Sequence, residues 1–337
     1  MTGKKASIIL VLRTLEQYSD QENPLTQQAI INRINQNYGI QLERKSVAAS
    51  LAVLRDELDY DINKSPKGGF YLGERLFEPS EVNYLTDAIF SSKAISGNYA
   101  KDLSKKVMSV LSDNYQKNYR PVYKCDQIDR SEDKGFFLTI DAITHALRHN
   151  RKVAFKYMTY DENLHMVPRL KNGQDTVIVS PLYMVYSRGL CYLLSIPEHK
   201  KDEQLKDFTS YRIDYIRDIR EVKDSVREKA TSLSKYKNGF DIAEFINNHI
   251  YIFGSDEKTV IKLLVKKPDS IRYLKEWFGK QVSLKKDGSK IIASIKSDEQ
   301  TFFFWIMQYS EHFTLLEPQS LIKKVRAAAK NILDTYK

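Results

Sequence analysis

The chain has 337 residues and a hydrophobic content of 42%, which suits two or three folded domains and argues against a disordered protein. Its formal net charge of +10 favours an anionic partner, of which nucleic acid is the usual one. The apolar run Ile8 to Leu12 is too short for a membrane span or a secretory leader, so we expect a cytoplasmic protein with no membrane contact. Two distant cysteines, Cys125 and Cys191, indicate neither a disulfide framework nor a zinc site.

The positive charge is not concentrated at the N-terminus. Residues 1–75 hold ten Lys or Arg and nine Asp or Glu. Apolar residues at helical spacing nevertheless predict three helices there, over 4–18, 26–39 and 44–58. Residues 60–72 alternate around a turn at Ser65–Gly69 and predict a β-hairpin. Three helices followed by a hairpin predict a winged helix-turn-helix DNA-binding domain in residues 1–75.

The third predicted helix has small side chains opposite its apolar stripe, and small side chains let a helix backbone approach base edges. The residues predicted to contact double-stranded DNA are Arg44, Lys45, Ser46, Ala49 and Ser50 on this helix, and Lys64 and Lys67 on the hairpin. The alternative is a small helical domain that is used only for protein contacts.

Residues 76–135 predict a helical linker. One helix begins at Pro79, a second spans 99–115, and the polar segment 120–135 has no periodicity. Apolar residues on the two helices would pack them together or against a second subunit, which favours a homodimer. They are Leu85, Ile89, Leu103, Val107 and Leu111.

The second half of the chain predicts two further domains and an α+β protein as a whole. Residues 136–225 combine a helix over 138–149 with about five short strands and predict a small β-barrel. Residues 240–337 predict a βαββαβα unit with α/β layers, in which Ser297-x-x-Gln300 reads as a capping box.

Arg212 is the leading candidate for binding a small ligand. A strand over 208–213 would place Ser210, Arg212 and Asp214 on one face, where the guanidinium offers five donors to a phosphate or carboxylate. The alternative is a structural ion pair between Arg212 and Asp214. Tyr157 and Tyr192 would stack on a base or fill the core. Lys156 and Arg188 are further basic candidates, or solvated surface residues.

Signals for catalysis are weak. His145 and His149 have the spacing of two zinc ligands on a helix, but Ala146 stands where the H-E-x-x-H motif has its glutamate. The sequence has no phosphate-binding loop, nucleophile elbow or C-x-x-C pair. We therefore expect no enzymatic activity, no metal and no other cofactor.

Three segments resemble known families. Residues 44–73 resemble the helix and wing of DeoR-type regulators: Gly68-Gly69-Phe70-Tyr71-Leu72 matches the wing, and Arg55-Asp56-Glu57-Leu58 has one residue more than the R-D-L pattern. Val179–Val185 and Tyr211–Ile216 resemble the WYL domain, with Cys191-Tyr192-Leu193 in place of its tripeptide and Tyr215 in place of a second arginine. The extension that follows WYL domains is matched by Phe303, Trp305, Ile306, Tyr309, Leu316, Pro318 and Leu321.

The resemblance implies a transcriptional regulator whose WYL domain, an SH3/Sm-like β-barrel, senses a nucleotide or a single-stranded nucleic acid. It implies ligand contacts on the basic face, for which this chain offers Arg212, Tyr192, Tyr157, Lys156, Arg188 and Ser210. The alternative function is that of a nucleic-acid-processing or RNA-binding accessory protein whose barrel is the main binding module.

Overall fold

The computed structural model describes residues 2–119, 134–198, 208–233, 236–249, 251–252 and 258–336. Residues 120–133 of the predicted linker, Cys125 among them, lie outside this set. The chain is an α+β protein, as the sequence predicts, and divides into two compact units at Phe136 and Phe137.

The N-terminal unit begins with three helices and a two-stranded antiparallel hairpin. These are α1 (Thr2–Tyr18), α2 (Gln27–Tyr38), α3 (Arg44–Asp56), β1 (Ile62–Lys64) and β2 (Phe70–Leu72). Thr26 caps α2 by accepting a hydrogen bond from the Ala29 N–H, and Gly39 ends it in the left-handed conformation. The helices close around one apolar core, formed by Leu10, Val11, Leu15, Ile30, Ile31, Ile34, Leu42, Val47, Leu51, Leu54, Ile62 and Leu72.

The predicted helix over 99–115 is two helices in the structure. After α4 (Pro79–Ser91) come α5 (Gly97–Met108) and α6 (Asp113–Asn118), separated at Ser112, whose hydroxyl caps α6 and donates to Asp20. Of the apolar residues predicted to pack these helices together or against a second subunit, Leu111 is buried and Ile89 and Val107 pack against buried neighbours, whereas Leu85 is exposed. The inner faces of the helices also carry polar Thr86 and Ser104, which apolar spacing alone does not mark. Those faces consist of Val82, Thr86 and Phe90 on α4, and Ala100, Ser104 and Met108 on α5.

The C-terminal unit opens with a helix and a six-stranded antiparallel sheet. The elements are α7 (Phe136–Arg148), β3 (Val153–Tyr160), β4 (Met166–Pro168), β5 (Thr176–Ser187), β6 (Leu190–Pro197), β7 (Thr209–Arg212) and β8 (Ile216–Glu221). The strand order is β4-β3-β5-β6-β7, and β8 also pairs with β3.

The sequence prediction differs from this sheet in three places. Its pattern predicts separate strands over 177–179 and 182–186, whereas the structure has one long strand, β5, with a bulge between Pro181 and Tyr183. It ended the last strand at Ile213 and missed both β4 and β8. The alternation over 152–158 also predicts one apolar face with Val153, Phe155 and Tyr157, but Ala154 is buried too, so both faces of β3 are covered at this end.

A short helix, α8 (Ile242–Asn248), precedes a second antiparallel sheet. That sheet is formed by β9 (Thr259–Val265), β10 (Val282–Asp287), β11 (Lys290–Ser297) and β12 (Phe313–Glu317) in the order β10-β11-β9-β12, with helices α9 (Ile271–Phe278), α10 (Glu299–Gln308) and α11 (Gln319–Thr335). This is the predicted βαββαβα order. The predicted cap was wrong by one residue, because Asp298 accepts the hydrogen bonds that open α10 and Ser297 is the last residue of β11.

No helix within the described ranges has both the length and the apolar character that a membrane crossing needs.

Candidate DNA interface and effector site

The outer surface of α3 is small and basic, and it begins at the helix N-terminus. The side chains of Arg44, Lys45 and Ala49 are exposed, as is that of Ala48, and Ser46 is half-buried. The Arg44 Nε donates to Gln27 Oε1 at 2.9 Å, which holds this guanidinium near the start of α2. A backbone bordered by alanines and serine can come close to a flat polar partner such as a base-pair edge.

Ser50 does not belong to this surface. It is 2% exposed, and its hydroxyl lies 3.1 Å from Ser7 Oγ and donates to the Ser46 carbonyl at 2.8 Å. The prediction that Ser50 contacts DNA is therefore wrong. Its side chain faces α1 beside Val47, because a helix that packs on two neighbours buries a wider stripe than its apolar residues mark.

The hairpin extends the basic surface and is fixed to the rest of the unit. Lys64 and Lys67 are exposed, and neither ammonium has an ion-pair partner among the described residues. Phe70 exchanges two backbone hydrogen bonds of 2.8 Å with Leu25, just before α2. At Gly69, where φ is +93°, an added Cβ would lie 2.9 Å from the Leu25 carbonyl carbon, so only glycine fits.

Arg212 is bound within the protein by its own neighbours. The chain leaves β7 and turns through one 3₁₀ turn (Ile213–Tyr215), which brings Asp214 back to the guanidinium. Nε and Nη2 donate to the two Asp214 carboxylate oxygens at 3.1 and 2.6 Å, and the Tyr215 ring lies 4.2 Å from the guanidinium carbon. Burial opposes the charge of Arg212, but the Asp214 bonds outweigh it and raise the arginine's pKa.

The structural ion pair left open by the sequence is thus present. Asp214 is 3% exposed, whereas 31% of the Arg212 side chain remains accessible. Nη1 has no hydrogen-bond partner in the described part of the chain. The edge that carries Nη1 is the part of Arg212 that can still bind a ligand.

Both tyrosines predicted to contact the ligand lie beside Arg212. Tyr192 is directly opposite Arg212 in the β6–β7 register, and the Tyr157 hydroxyl accepts a hydrogen bond from the Arg212 N–H at 3.2 Å. Both rings are half-buried, and burial raises the pKa of both hydroxyls. Ser210 also lies on β7, opposite Leu194, and is half-buried. These residues and Tyr215 make one cluster with Arg212.

Lys156 lies apart from this cluster. Lys156 and Tyr157 are consecutive residues of β3, so their side chains point to opposite faces of the strand. The Lys156 ammonium forms ion pairs with Asp175 at 3.4 Å and Asp218 at 3.3 Å. Among the predicted ligand contacts, Lys156 is therefore a surface lysine with two acidic partners.

Arg188 occupies a different place again, at the tip of the β5–β6 hairpin. Its guanidinium lies 3.5 Å from the centre of the Trp277 ring, at the end of α9. A cavity of about 760 Å³ opens beside this pair and is also bordered by Glu244, His249 and Lys280. No sequence pattern indicates this cavity, because its walls come from three segments that no short motif connects.

Cys191 stands where the WYL tripeptide has tryptophan. It is 1% exposed, and burial raises the pKa of its thiol to about 11, so the thiol stays protonated at neutral pH. It is a small core residue in this sheet.

Comparison with known families assigns both sheets. Residues 139–221 match the model of the WYL domain, and residues 257–333 match that of the WCX domain. The chain contains a WYL domain and a WCX domain. The first match spans α7 to β8, and it confirms the resemblance drawn from Val179–Val185 and Tyr211–Ile216. The second covers the four-stranded sheet and its helices.

Two solved structures align with this chain. One is the proteasome accessory factor B/C (PafBC) of Arthrobacter aurescens, with 16% identity, a TM-score of 0.28, and coverage of 99% of this chain and 49% of that chain. The other is a CRISPR Cas-related protein, with 15% identity, a TM-score of 0.38, and coverage of 99% and 85%. The chain thus spans about half the length of PafBC. No curated protein matches it.

Neither family model extends into residues 1–136. The DeoR-type resemblance of residues 44–73 therefore remains a prediction. The WYL domain holds the Arg212 cluster, and the cavity beside Arg188 lies where residues of the WYL hairpin, α8 and the WCX helix α9 meet.

Proposed function

We propose that this chain is a non-enzymatic transcription regulator that binds double-stranded DNA through a winged helix-turn-helix in residues 1–75. The observation that carries the proposal is the surface of α3 and the hairpin. There, small side chains border an exposed backbone, and Lys45, Lys64 and Lys67 have no acidic partner in the described residues. In this arrangement α3 lies in the major groove, and the hairpin lysines contact phosphates alongside.

The WYL domain acts in this proposal as a sensor with an SH3/Sm-like barrel. Its effector is a nucleotide or a single-stranded nucleic acid, bound at the Nη1 edge of Arg212 with a base stacked on Tyr192 or Tyr157. Support comes from the half-buried rings that surround an accessible guanidinium. An effector changes DNA binding only if it prefers one of two conformations of the regulator.

A homodimer completes the proposal, because regulators of this kind read two half-sites. Support comes from apolar side chains on and just before α4 that remain exposed, namely Leu76, Phe77, Tyr84 and Leu85. Exposed apolar surface of this kind favours contact with a second copy.

The DNA contact is tested by Ala49→Glu, because Ala49 is exposed and the change leaves the core intact. A carboxylate against base edges and phosphates should weaken binding to the DNA flanking the protein's own gene at least about tenfold. Ala327→Glu, on the exposed side of α11, is the matched control and should bind normally. Unchanged binding by Ala49→Glu would overturn the role of α3, and binding to single-stranded RNA but not to duplex DNA would favour the accessory-protein alternative.

The effector site is tested by Arg212→Lys, which keeps a cation beside Asp214 but removes the planar guanidinium. DNA binding without effector should stay at the wild-type level. A short single-stranded DNA oligonucleotide should shift the operator footprint of the wild type and have little effect on this variant. An equal response from both proteins would place the effector site elsewhere.

A further inference from the structure

Three metal-binding side chains meet at one edge of the WYL domain. His145 and His149 lie one helical turn apart at the C-terminal end of α7, and Glu221 is the last residue of β8. One ligand atom from each residue lies within 4.8 Å of the other two. Ala146 stands where the H-E-x-x-H motif has its glutamate, but a carboxylate reaches the histidines from Glu221, which is 76 residues after His145.

The two histidine rings lie against each other. Their centroids are 3.9 Å apart, and the rings are inclined by 37°. The Nδ1 of His149 lies 2.9 Å from the His145 carbonyl oxygen, so it carries the proton and donates it there. A metal-binding histidine characteristically gives its other ring N–H to such a carbonyl, and this leaves the Nε2 lone pair of His149 available.

The Glu221 carboxylate is also held in position by neighbouring side chains. Oε1 of Glu221 contacts the His145 Nδ1, while Oε2 lies 4.0 Å from Arg151 Nη1. One carboxylate oxygen thus faces the histidines, and the other faces a cation that helps to hold it. An ion would replace the direct contact between His145 and Glu221 and bind both.

We propose that His145, His149 and Glu221 form a binding site for a divalent transition-metal ion, with Zn²⁺ as the best fit. Two imidazoles and a carboxylate are a ligand set that Zn²⁺ takes readily, with solvent in the fourth position. Ligands at about 2.1 Å in a tetrahedral arrangement lie about 3.4 Å apart, so ligand atoms now up to 4.8 Å apart must approach by about 1.4 Å at most, while His145 and Glu221 must separate to admit the ion. His145 is 62% exposed, which leaves it free to make this movement.

The ion would connect α7 to β8, the two ends of the WYL domain. The matched segment runs from residue 139 to residue 221, so the first and last elements of the domain would share one ligand set. Metal binding should therefore stabilise the folded WYL domain by an amount that rises with the logarithm of the ratio of the metal concentration to the dissociation constant.

The experiment uses the full chain without a histidine tag. Zn²⁺ binding is measured by calorimetry, and thermal unfolding is followed with and without the metal. We expect one ion per chain and a rise in the unfolding temperature. His145→Ala, His149→Ala and Glu221→Gln should each weaken binding at least about 100-fold, more than the loss of a residue that merely orients a ligand.

His165→Ala is the matched control, because His165 is an exposed histidine whose carboxylate neighbour Asp161 lies 3.7 Å away, with no third ligand described there. It should bind Zn²⁺ like the wild type. Wild-type binding no tighter than that of His145→Ala would overturn the proposal, and so would an equal loss in His165→Ala or full affinity in Glu221→Gln. Circular dichroism of each variant separates a lost ligand from a lost fold.

Discussion

The basic residues of the two candidate sites differ in how they are held. On α3 and the hairpin, Lys45, Lys64 and Lys67 extend into solvent without an acidic partner in the described residues. In the WYL domain, Arg212 is paired with Asp214, and Lys156 with two aspartates. Free cations bind a polyanion by releasing its counterions, whereas paired cations must first exchange a partner. The first surface suits tight general attraction, and the second suits selective recognition of a small ligand.

The largest expected effect is on protein stability, at the ion pair between Arg212 and Asp214. Arg212→Ala leaves Asp214 buried without its cation, so the free energy of unfolding of the C-terminal unit should fall by about 2 kcal/mol or more. The value stays below the about 3–5 kcal/mol of a fully buried pair, because the Arg212 side chain is 31% exposed.

Urea unfolding followed by tryptophan fluorescence measures this change, since Trp277 and Trp305 both lie in the C-terminal unit. The double variant Arg212→Met/Asp214→Leu should recover much of the loss. If Arg212→Ala were as stable as the wild type, the ion pair with Asp214 would contribute nothing to stability. Arg212 would then not differ from the unpaired lysines of the hairpin.

At the unpaired lysines of the hairpin, the Lys64→Ala/Lys67→Ala double variant should lose affinity for duplex DNA without losing stability. Two phosphate contacts fewer should make the plot of log affinity against log salt shallower by about 1.8, and weaken binding about tenfold at low salt. Titrations at several salt concentrations give the slope. Lys156→Ala is the control and should leave the slope unchanged; a shallower slope there would mean that DNA also contacts the WYL domain.

A smaller effect on stability should distinguish buried Ser50 from exposed Ala49 on α3. Ser50→Ala should destabilise the N-terminal unit by about 1 kcal/mol, because it deletes a buried hydroxyl that bonds Ser46 and Ser7. Ala49→Ser adds a hydroxyl in solvent and should be neutral within about 0.5 kcal/mol. Hydrogen exchange of the α3 amides compares the two variants. Equal protection in both would show that Ser50 is less constrained than its contacts indicate.

The smallest effect is a pH dependence at Asp20. Burial opposes its ionisation, but hydrogen bonds from Asn23, Ser112 and Asn114 outweigh burial and lower its pKa. The resulting stability is present above the unfolded pKa of about 3.9 and is lost as pH falls through the lower folded value.

Asp20→Asn should therefore cost about 1 kcal/mol or less at pH 7, since the amide keeps part of the hydrogen bonding. Urea unfolding at neutral and acidic pH should show the difference between variant and wild type narrowing below about pH 4. A difference that widens in acid would reverse the sign assigned to Asp20.

Much of the fold was readable because apolar residues recur at the period of their element. Val47, Leu51 and Leu54 located α3, and the βαββαβα order of the WCX domain followed from well-spaced strands and turns. The errors arose where polar residues are buried. Thr86 and Ser104 lie on the inner faces of α4 and α5, where apolar spacing does not mark them, and Ser50 was assigned to solvent although it faces α1.

The sites were less predictable, since their partners are distant in sequence or depend on a turn. A 3₁₀ turn, and not the alternation of a strand, brings Asp214 to Arg212. Tyr215, which stands where the WYL pattern has a second arginine, contributes its ring to the same guanidinium. Glu221 lies on β8, a strand that the sequence did not predict, so its meeting with His145 could not be anticipated.

The close approach of Gly69 to the Leu25 backbone also bears on the proposed recognition of DNA. Because Phe70 exchanges two backbone hydrogen bonds with Leu25 just before α2, the hairpin is fixed against the helices. In the proposed DNA complex, the distance between the lysines of the hairpin and the backbone of α3 would then be set in advance, and less ordering entropy would be lost on binding. A site whose grooves do not fit that distance must bend or change its groove width. Flexible base steps beside the contacted bases would then raise affinity at positions that no side chain touches.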